Sequence, residues 1–177
     1  MKVIFLDFDG VLNSSASFLM ESRYKKKLKR TNPRKSKEYR VNETFSEVCA
    51  SNFQYILDKC PDVKVVISST WRELFPMEWL KEKLEEYGID SSRVIGKTPR
   101  ASSGRLSQSA PRGDDISEWL AEHPEVTDYV ILDDNSDMTV HMDKLVQTTW
   151  LDGLTLGIAS SVIAKLGGDA RGTGLPL

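Results

Sequence analysis

The sequence predicts an α/β fold, a Rossmann-like three-layer parallel sheet, and two observations support this prediction. Short apolar runs rich in β-branched residues alternate with stretches whose apolar residues recur at helical spacing, as in parallel sheets covered by helices. Three of the apolar runs end in carboxylates or hydroxyls, and open α/β folds bind ligands where the carboxyl ends of their strands meet. We therefore expect one edge of the sheet to carry the chemistry.

The composition limits the class of protein. With 177 residues, 40% of them hydrophobic and 28% charged, the chain fits a single globular domain, which we expect to cover residues 1–166. No run is long enough to span a membrane, and the start of the chain does not resemble a signal peptide. Cys49 and Cys60 lack metal-ligand spacing, so we expect reduced thiols in a cytoplasmic protein.

The first predicted strand delivers two acids to its carboxyl end. An apolar run from Val3 leads without interruption to Asp7, which indicates a central strand buried on both faces. Asp7 and Asp9 point to one side if the extended backbone continues, and Gly10 then allows a turn. Two neighbouring carboxylates repel each other unless a cation or a proton lies between them, so this strand end predicts a site for one of the two.

The remaining elements follow from the same periodicities. Thr44 is the expected N-cap of a helix over residues 44–57, with Glu47 completing a capping box. The glycine-rich residues 167–177 are expected to form a flexible tail. Further helices are predicted at 77–87, 114–121 and 155–166, and further strands at 63–67, 93–96, 129–132 and 145–150.

Polar side chains follow two more of the predicted strands. Hydroxyls after a strand are often only helix caps, but three in succession exceed what capping requires, and adjacent carboxylates need an offsetting charge. Because parallel strands end at one edge, we expect all of these side chains to reach the pocket of Asp7. They are Ser68, Ser69 and Thr70 after the strand at 63–67, and Asp133, Asp134 and Asp137 after the strand at 129–132.

Residues 14–42 show the least regular pattern of the chain. Between Arg23 and Arg40 there are ten basic residues against one acid, so this segment carries +9 and the remainder −11 of the total charge of −2. Sparse apolar residues and repulsion between like charges predict a solvated loop or lid. A segment this basic also attracts phosphate-rich ligands, so contact with RNA or DNA through Arg23–Arg40 is the functional hypothesis.

These strand ends, taken in order, resemble the motifs of the haloacid dehalogenase (HAD) superfamily. Asp-x-Asp-Gly from Asp7 is similar to its first motif, and the acids from Asp133 are similar to its fourth. The hydroxyls are similar to its second motif, in which Ser68 fits best and Ser69 is the alternative. The resemblance covers residues 2–166 and implies a HAD-like fold with a small or minimal cap, inserted at about residues 14–42.

The resemblance implies a Mg²⁺-dependent phosphatase. Asp7 would be the nucleophile that forms an aspartyl-phosphate, and Asp9 would act as general acid and then general base. Asp7, the backbone carbonyl of Asp9 and Asp133 would bind Mg²⁺, which prefers oxygen ligands. Asp134 or Asp137 would be the second acid of the fourth motif.

The third motif of the superfamily supplies a Lys or an Arg that balances the charge of carboxylates and phosphate. Arg112, at the mouth of the predicted helix at 114–121, is the favoured candidate. Lys97, in the preceding loop, competes with it. The expected contacts with substrate are Ser68, Gly10, Ser69 and Arg72.

Three short strings narrow the resemblance to the HAD phosphatase modules of RNA-repair proteins. They are Asp-Phe-Asp-Gly-Val-Leu-Asn from Asp7, Ile-Ser-Ser-Thr-Trp-Arg from Ile67 and Arg-Gly-Asp-Asp-Ile from Arg112. The expected function is hydrolysis of phosphomonoesters of nucleic acids or nucleotides. Two alternatives stay open: a phosphatase of small metabolites with the basic segment as its lid, and a catalytically weak HAD-like module that binds nucleic acid. The oligomeric state is also left open.

Overall fold

A computed structural model describes residues 1–100 and 110–169, so most of the tail predicted at 167–177 lies outside the described residues. Within them, Lys2–Leu6 (β1), Val63–Ile67 (β2), Val94–Lys97 (β3), Asp128–Asp133 (β4) and Leu145–Gln147 (β5) form an all-parallel sheet of order β3-β2-β1-β4-β5. The helices are Ser15–Thr31 (α1), Pro33–Glu38 (α2), Glu47–Lys59 (α3), Trp71–Leu74 (α4), Met77–Glu86 (α5), Arg112–Glu122 (α6) and Leu156–Lys165 (α7). None of them is both long and apolar enough to cross a bilayer. The predicted α/β parallel sheet is confirmed.

Strand β1 occupies the centre of the sheet because its residues are apolar on both faces. It pairs in parallel with β2 on one side and β4 on the other, and residues 3–6 are fully buried. On one face Phe5 packs edge-on against Trp119 of α6. On the other face Leu6 joins the core that β1 shares with α3, α5 and α7. Helices therefore cover both faces of the sheet, which gives the predicted three layers.

The basic segment, expected to be a solvated loop or a lid, is helical, so the expectation of a loop was wrong. Helix α1 begins with a capping box between Ser14 and Ser17, and it buries Leu28. The hydroxyl of Tyr39, just after α2, donates to Glu21 of α1 and ties the two helices together. Nine of the ten basic side chains are exposed, so water screens their repulsion and local capping and packing decide the structure.

Two other boundaries differ from the prediction. Ser46, not Thr44, is the N-cap of α3, because its hydroxyl accepts the amide of Cys49 while the Thr44 hydroxyl donates to the carbonyl of Val41. Strand β5 ends at Gln147, before the predicted end at residue 150. After Gln147 the chain turns back toward the residues that follow β1. The other predicted elements lie within one or two residues of the observed ones.

Replacing Ser14 by Ala tests whether the capping box sustains α1. The substitution leaves the amide of Ser17 without its acceptor, so the free energy of unfolding should fall by about 1 kcal/mol. Ser15→Ala is the matched control, because Ser15 bonds to the carbonyl of Trp150 through its backbone amide, which the substitution retains. Urea unfolding followed by circular dichroism measures both variants. Equal effects of the two substitutions would contradict the capping role.

Candidate active site

The carboxyl ends of three strands bring the predicted polar residues to one edge of the sheet. Asp7 follows β1, Ser68 follows β2 and Asp133 is the last residue of β4. The amide of Asp7 donates to the carbonyl of Leu132 at 3.0 Å, and the amide of Ser68 donates to the carbonyl of Leu6 at 2.9 Å. Sheet pairing therefore continues up to the polar residues and fixes their relative positions.

Asp7, Asp133 and Asp134 form a cluster of carboxylates in which one oxygen of each lies within 4.8 Å of the others. Asp7 is 2% exposed and Asp133 0%. Burial, and then the negative charge of Asp7, raises the pKa of Asp133 above its ordinary value. Burial also raises the pKa of Asp7, although the nearby Arg112 opposes this. The cluster thus requires positive charge if its carboxylates are to be ionised together.

Arg112, the first residue of α6, faces both buried carboxylates. Its Nη1 lies 2.9 Å from Asp7 Oδ1 and 2.9 Å from Asp133 Oδ2, without the alignment of a hydrogen bond to either. Burial alone would lower the pKa of Arg112, but the two carboxylates raise it. Arg112 therefore offsets the negative charge of both carboxylates. Lys97, the competing candidate, donates instead to the carbonyl of Arg72.

The carboxylate cluster suits a hard divalent cation. Asp7 Oδ1 and Asp133 Oδ2 are buried carboxylate oxygens that accept no aligned hydrogen bond among the described residues and are paired with the charge of Arg112. Mg²⁺ also binds carboxylate oxygens of this kind. Asp134 is the neighbour that completes the cluster. The alternative acid, Asp137, lies elsewhere, because its carboxylate accepts the backbone amide of Arg112 at the start of α6. Asp7, Asp133 and Asp134 are therefore the side chains that could hold Mg²⁺.

The carboxylate of Asp9 turns away from this cluster. It accepts hydrogen bonds of 2.8 Å from the side-chain amide of Asn13 and of 2.8 Å from the indole of Trp71. The expectation that Asp7 and Asp9 point to one side was wrong, because β1 ends at Leu6 and a turn replaces the extended backbone. Neither Asn13 nor Trp71 was predicted from the sequence to be a partner of Asp9. Their only signal was their place inside the first and second motif strings.

Gly10 forms the turn directly beneath Asp134. Its φ is +74°, and a Cβ at this position would lie 2.4 Å from the side chain of Asp134. Its amide donates to the side chain of Asn13 at 3.0 Å, and its carbonyl accepts the hydroxyl of Thr148 at 2.7 Å. Gly10 therefore shapes the site, and its amide is committed to the protein instead of the expected contact with substrate.

The two serines after β2 differ in what their hydroxyls contact. The Ser69 hydroxyl accepts the amide of Trp71 at 3.3 Å, and the Ser69 side chain acts to lower the pKa of Asp7 against the larger effect of burial. The Ser68 hydroxyl is fully buried at the end of its strand and has no hydrogen-bond partner within the described part of the chain. A buried hydroxyl normally has a partner, so Ser68 is the better candidate to bind an incoming group.

Arg72 connects the end of β2 to α6 through hydrogen bonds within the protein. This corrects the expectation that it contacts substrate. Its side chain is buried, and its guanidinium lies 2.5 Å from the carboxylate of Asp115 in α6. All five N–H donors of the guanidinium have protein acceptors, so none remains for a phosphate. The acceptors are the carbonyls of Ser68, Ser69, Thr98 and Pro99 and the carboxylate of Asp115.

Gly10→Ala tests the contact between the turn and Asp134. A Cβ in this left-handed conformation costs about 1–2 kcal/mol of stability, and here it also displaces Asp134. We expect lower stability together with at least tenfold weaker Mg²⁺ binding by isothermal titration calorimetry.

The control for this substitution is Gly88→Ala. Gly88 has the same φ of +74°, but its Cβ would meet nothing within 4 Å. The control should therefore lose similar stability and keep its Mg²⁺ affinity. Equal Mg²⁺ affinities of the two variants would show that the contact with Asp134 is unimportant.

The chain matches a known protein family and is similar to two solved structures. The model of the HAD domain in Swiss Army Knife RNA repair proteins matches residues 3–157, a range that includes every predicted site residue. No curated protein matches the chain. Structures of the HAD domain of effector protein Lem4 from Legionella pneumophila, and of its inactive mutant, are 21% and 19% identical to it, with TM-scores of 0.45 and 0.44. Both alignments cover 88% of this chain, and they cover 87% and 86% of the respective neighbours.

Proposed function

The chain belongs to the family of HAD domains in Swiss Army Knife RNA repair proteins, and from this membership we propose that it is a Mg²⁺-dependent phosphomonoester hydrolase acting on nucleic acids. The observation that supports the proposal most directly is the buried cluster of ion pairs at the strand ends, in which Arg112 contacts Asp7 and Asp133. Such an arrangement is expensive to bury and has little structural use by itself. It suits a reaction in which a carboxylate and a negatively charged phosphoryl group must lie side by side and be neutralised by nearby positive charge.

Asp7 is the proposed nucleophile. Its carboxylate would attack the phosphorus in line, so that the bond to the leaving oxygen breaks and an aspartyl-phosphate forms. Arg112, 2.9 Å away, favours the ionised form that this attack requires. Mg²⁺ held by Asp7, Asp133 and Asp134 would add positive charge next to the transferring phosphoryl group.

Asp9 is the proposed general acid and base. Asn13 and Trp71 donate to its two carboxylate oxygens and so fix its orientation away from the nucleophile. In the first half of the reaction Asp9 would give a proton to the leaving oxygen. In the second half it would take a proton from the water that attacks the aspartyl-phosphate. Such proton transfers typically contribute about 10²–10⁴-fold to a rate.

Ser68 and Arg112 would bind the phosphoryl oxygens. The Ser68 hydroxyl, which has no hydrogen-bond partner among residues 1–100 and 110–169, follows β2, and the guanidinium of Arg112 lies at the start of α6. Donors that are held in place before the reaction stabilise the charge of the transition state without reorganising.

Asp7→Asn tests the assignment of the nucleophile. An amide cannot form the acyl phosphate, so Mg²⁺-dependent hydrolysis of p-nitrophenyl phosphate should fall at least 10³-fold, close to the rate that remains in the presence of EDTA. Asp62→Asn is the control, because Asp62 is exposed and precedes β2, at the amino ends of the strands and away from the site. The assignment fails if the Asp7 variant keeps the activity of the control.

The basic insert supports nucleic acid as the substrate. Arg23, Lys26, Lys27 and Arg30 recur on one side of α1 and, together with Thr31, line an exposed hollow. Several exposed cations along one helix face match the spacing of charges along a phosphate backbone better than they match a single small anion. This surface, called here the basic face, is therefore the proposed contact with the nucleic-acid strand.

Charge removal on the basic face tests the nucleic-acid contact. The triple variant Lys26→Gln, Lys27→Gln, Arg30→Gln should bind a single-stranded oligonucleotide more weakly, with a slope of log affinity against log salt that is less steep by about 2. The control variant, Lys59→Gln, Lys64→Gln, Lys81→Gln, removes the same charge outside the insert. Fluorescence anisotropy of a labelled oligonucleotide measures both. If the triple variant and the control variant show the same salt slope, the basic face does not bind the substrate, and a small-metabolite phosphatase is favoured.

A further inference from the structure

A cleft of about 610 Å³ opens beside Asp9, between the basic insert and the core of the domain. Its volume lies within the range of small-molecule binding sites. The phosphoryl chemistry proposed above uses two of its lining residues, Asp9 and its hydrogen-bond donor Trp71. The others are Phe18, Ser22, Val41 and Asn42 from the insert, Glu43 directly after it, and Leu74, Phe75 and Trp150 from the core.

Phe18 and Trp150 place a flat apolar surface in this cleft. Their ring centroids lie 5.5 Å apart with planes inclined at 32°, and Trp150 is 46% exposed. The backbone of Trp150 is anchored, because its carbonyl accepts the amide of Ser15 at 2.8 Å. The contact with the Phe18 ring restrains the half-exposed ring of Trp150, so a ligand that stacks on it costs little side-chain entropy.

Helix α4 and its neighbours add a second set of aromatic rings. The rings of Trp71 and Phe75 lie 5.7 Å apart, and Phe75 in turn stacks on Trp79 at 3.9 Å. Polar groups among the lining residues are few and include the side chains of Ser22 and Asn42. Aromatic faces combined with a few hydrogen-bonding groups suit a planar heteroaromatic ring such as a nucleobase.

The position of Asp9 determines which part of a substrate would enter the cleft. Asp9 is the proposed acid for the leaving oxygen, so the group attached to that oxygen must lie on the side of Asp9. Phe18, Ser22, Lys26 and Arg30 also follow one another at a spacing of four along α1. Because residues four apart share a helix face, this row leads from the cleft to the basic face.

On the basis of the function proposed above, we propose that the cleft beside Asp9 binds the nucleobase of the terminal nucleotide of an oligonucleotide whose end phosphate is removed. The base stacks on Trp150, its sugar oxygen is the leaving group next to Asp9, and the following phosphates lie along the basic face. The cleft thus selects nucleotide ends over phosphate esters that lack a base.

The test compares two single-stranded oligonucleotides with a 3′-phosphate, one intact and one in which the terminal nucleotide lacks its base. The wild-type protein should prefer the intact substrate in kcat/KM by about 5- to 150-fold, the range expected for one stacked base. Trp150→Ala should remove most of this preference, whereas Trp150→Phe should keep most of it. Leu151→Ala, which truncates an exposed neighbour outside the cleft, should keep all of it. A preference that Trp150→Ala does not change overturns the proposal.

Binding to the Asp7→Asn variant separates this proposal from the proposed function. If the wild-type protein hydrolyses neither oligonucleotide, the proposed function fails. Fluorescence anisotropy with the Asp7→Asn variant then still measures whether the terminal base contributes to affinity. Adding Trp150→Ala to that variant shows whether the contribution depends on Trp150. Equal affinities for the intact and the base-free oligonucleotide overturn the cleft assignment. A mononucleotide bound as tightly as the oligonucleotide overturns the assignment of a strand end as its occupant. Thermal unfolding confirms that each variant is folded.

Discussion

The contact of Arg112 with Asp7 and Asp133 is the interaction on which the rest of the site depends. Two carboxylates buried side by side repel each other, and leaving a buried charge without its partner typically costs about 3–5 kcal/mol. Adjacent parallel strands impose this closeness, because β1 and β4 end at the same level of the sheet. The first turn of α6 offsets this repulsion, because Arg112 faces the two carboxylates. In the same helix, Asp115 binds Arg72, whose guanidinium donates to the carbonyl of Ser68 at the end of β2.

Much of the fold and part of the site were predictable from the sequence, for physical reasons. Apolar runs that end in Asp7, Ser68 and Asp133 can be buried only in the centre of a covered sheet, and parallel strands then bring their ends together. The directions of other side chains depend on contacts that periodicity does not contain. Arg72 was misjudged because its acceptors come from residues distant in the sequence, among them Asp115.

The insert shows a second limit of sequence patterns. Its charge predicted a solvated loop or lid and specified no regular structure, whereas the capping box at Ser14 and the hydrogen bond between Tyr39 and Glu21 stabilise a pair of helices. As a helix, α1 keeps Phe18 beside Trp150 and directs cations along a continuous row. Under the proposed function, the ends of the strands carry out the reaction at the phosphoryl group, and the cleft between the insert and the core selects the group that leaves.

The central claim is that Asp7 receives the phosphoryl group. Mixing the protein with substrate and Mg²⁺, quenching with acid within the first turnover and sequencing its peptides by mass spectrometry tests this claim directly. The account predicts one phosphoryl group on Asp7, formed at the rate at which the alcohol is released and lost as phosphate appears. Steady release of phosphate with no modification of Asp7, or modification of a different residue, would contradict it.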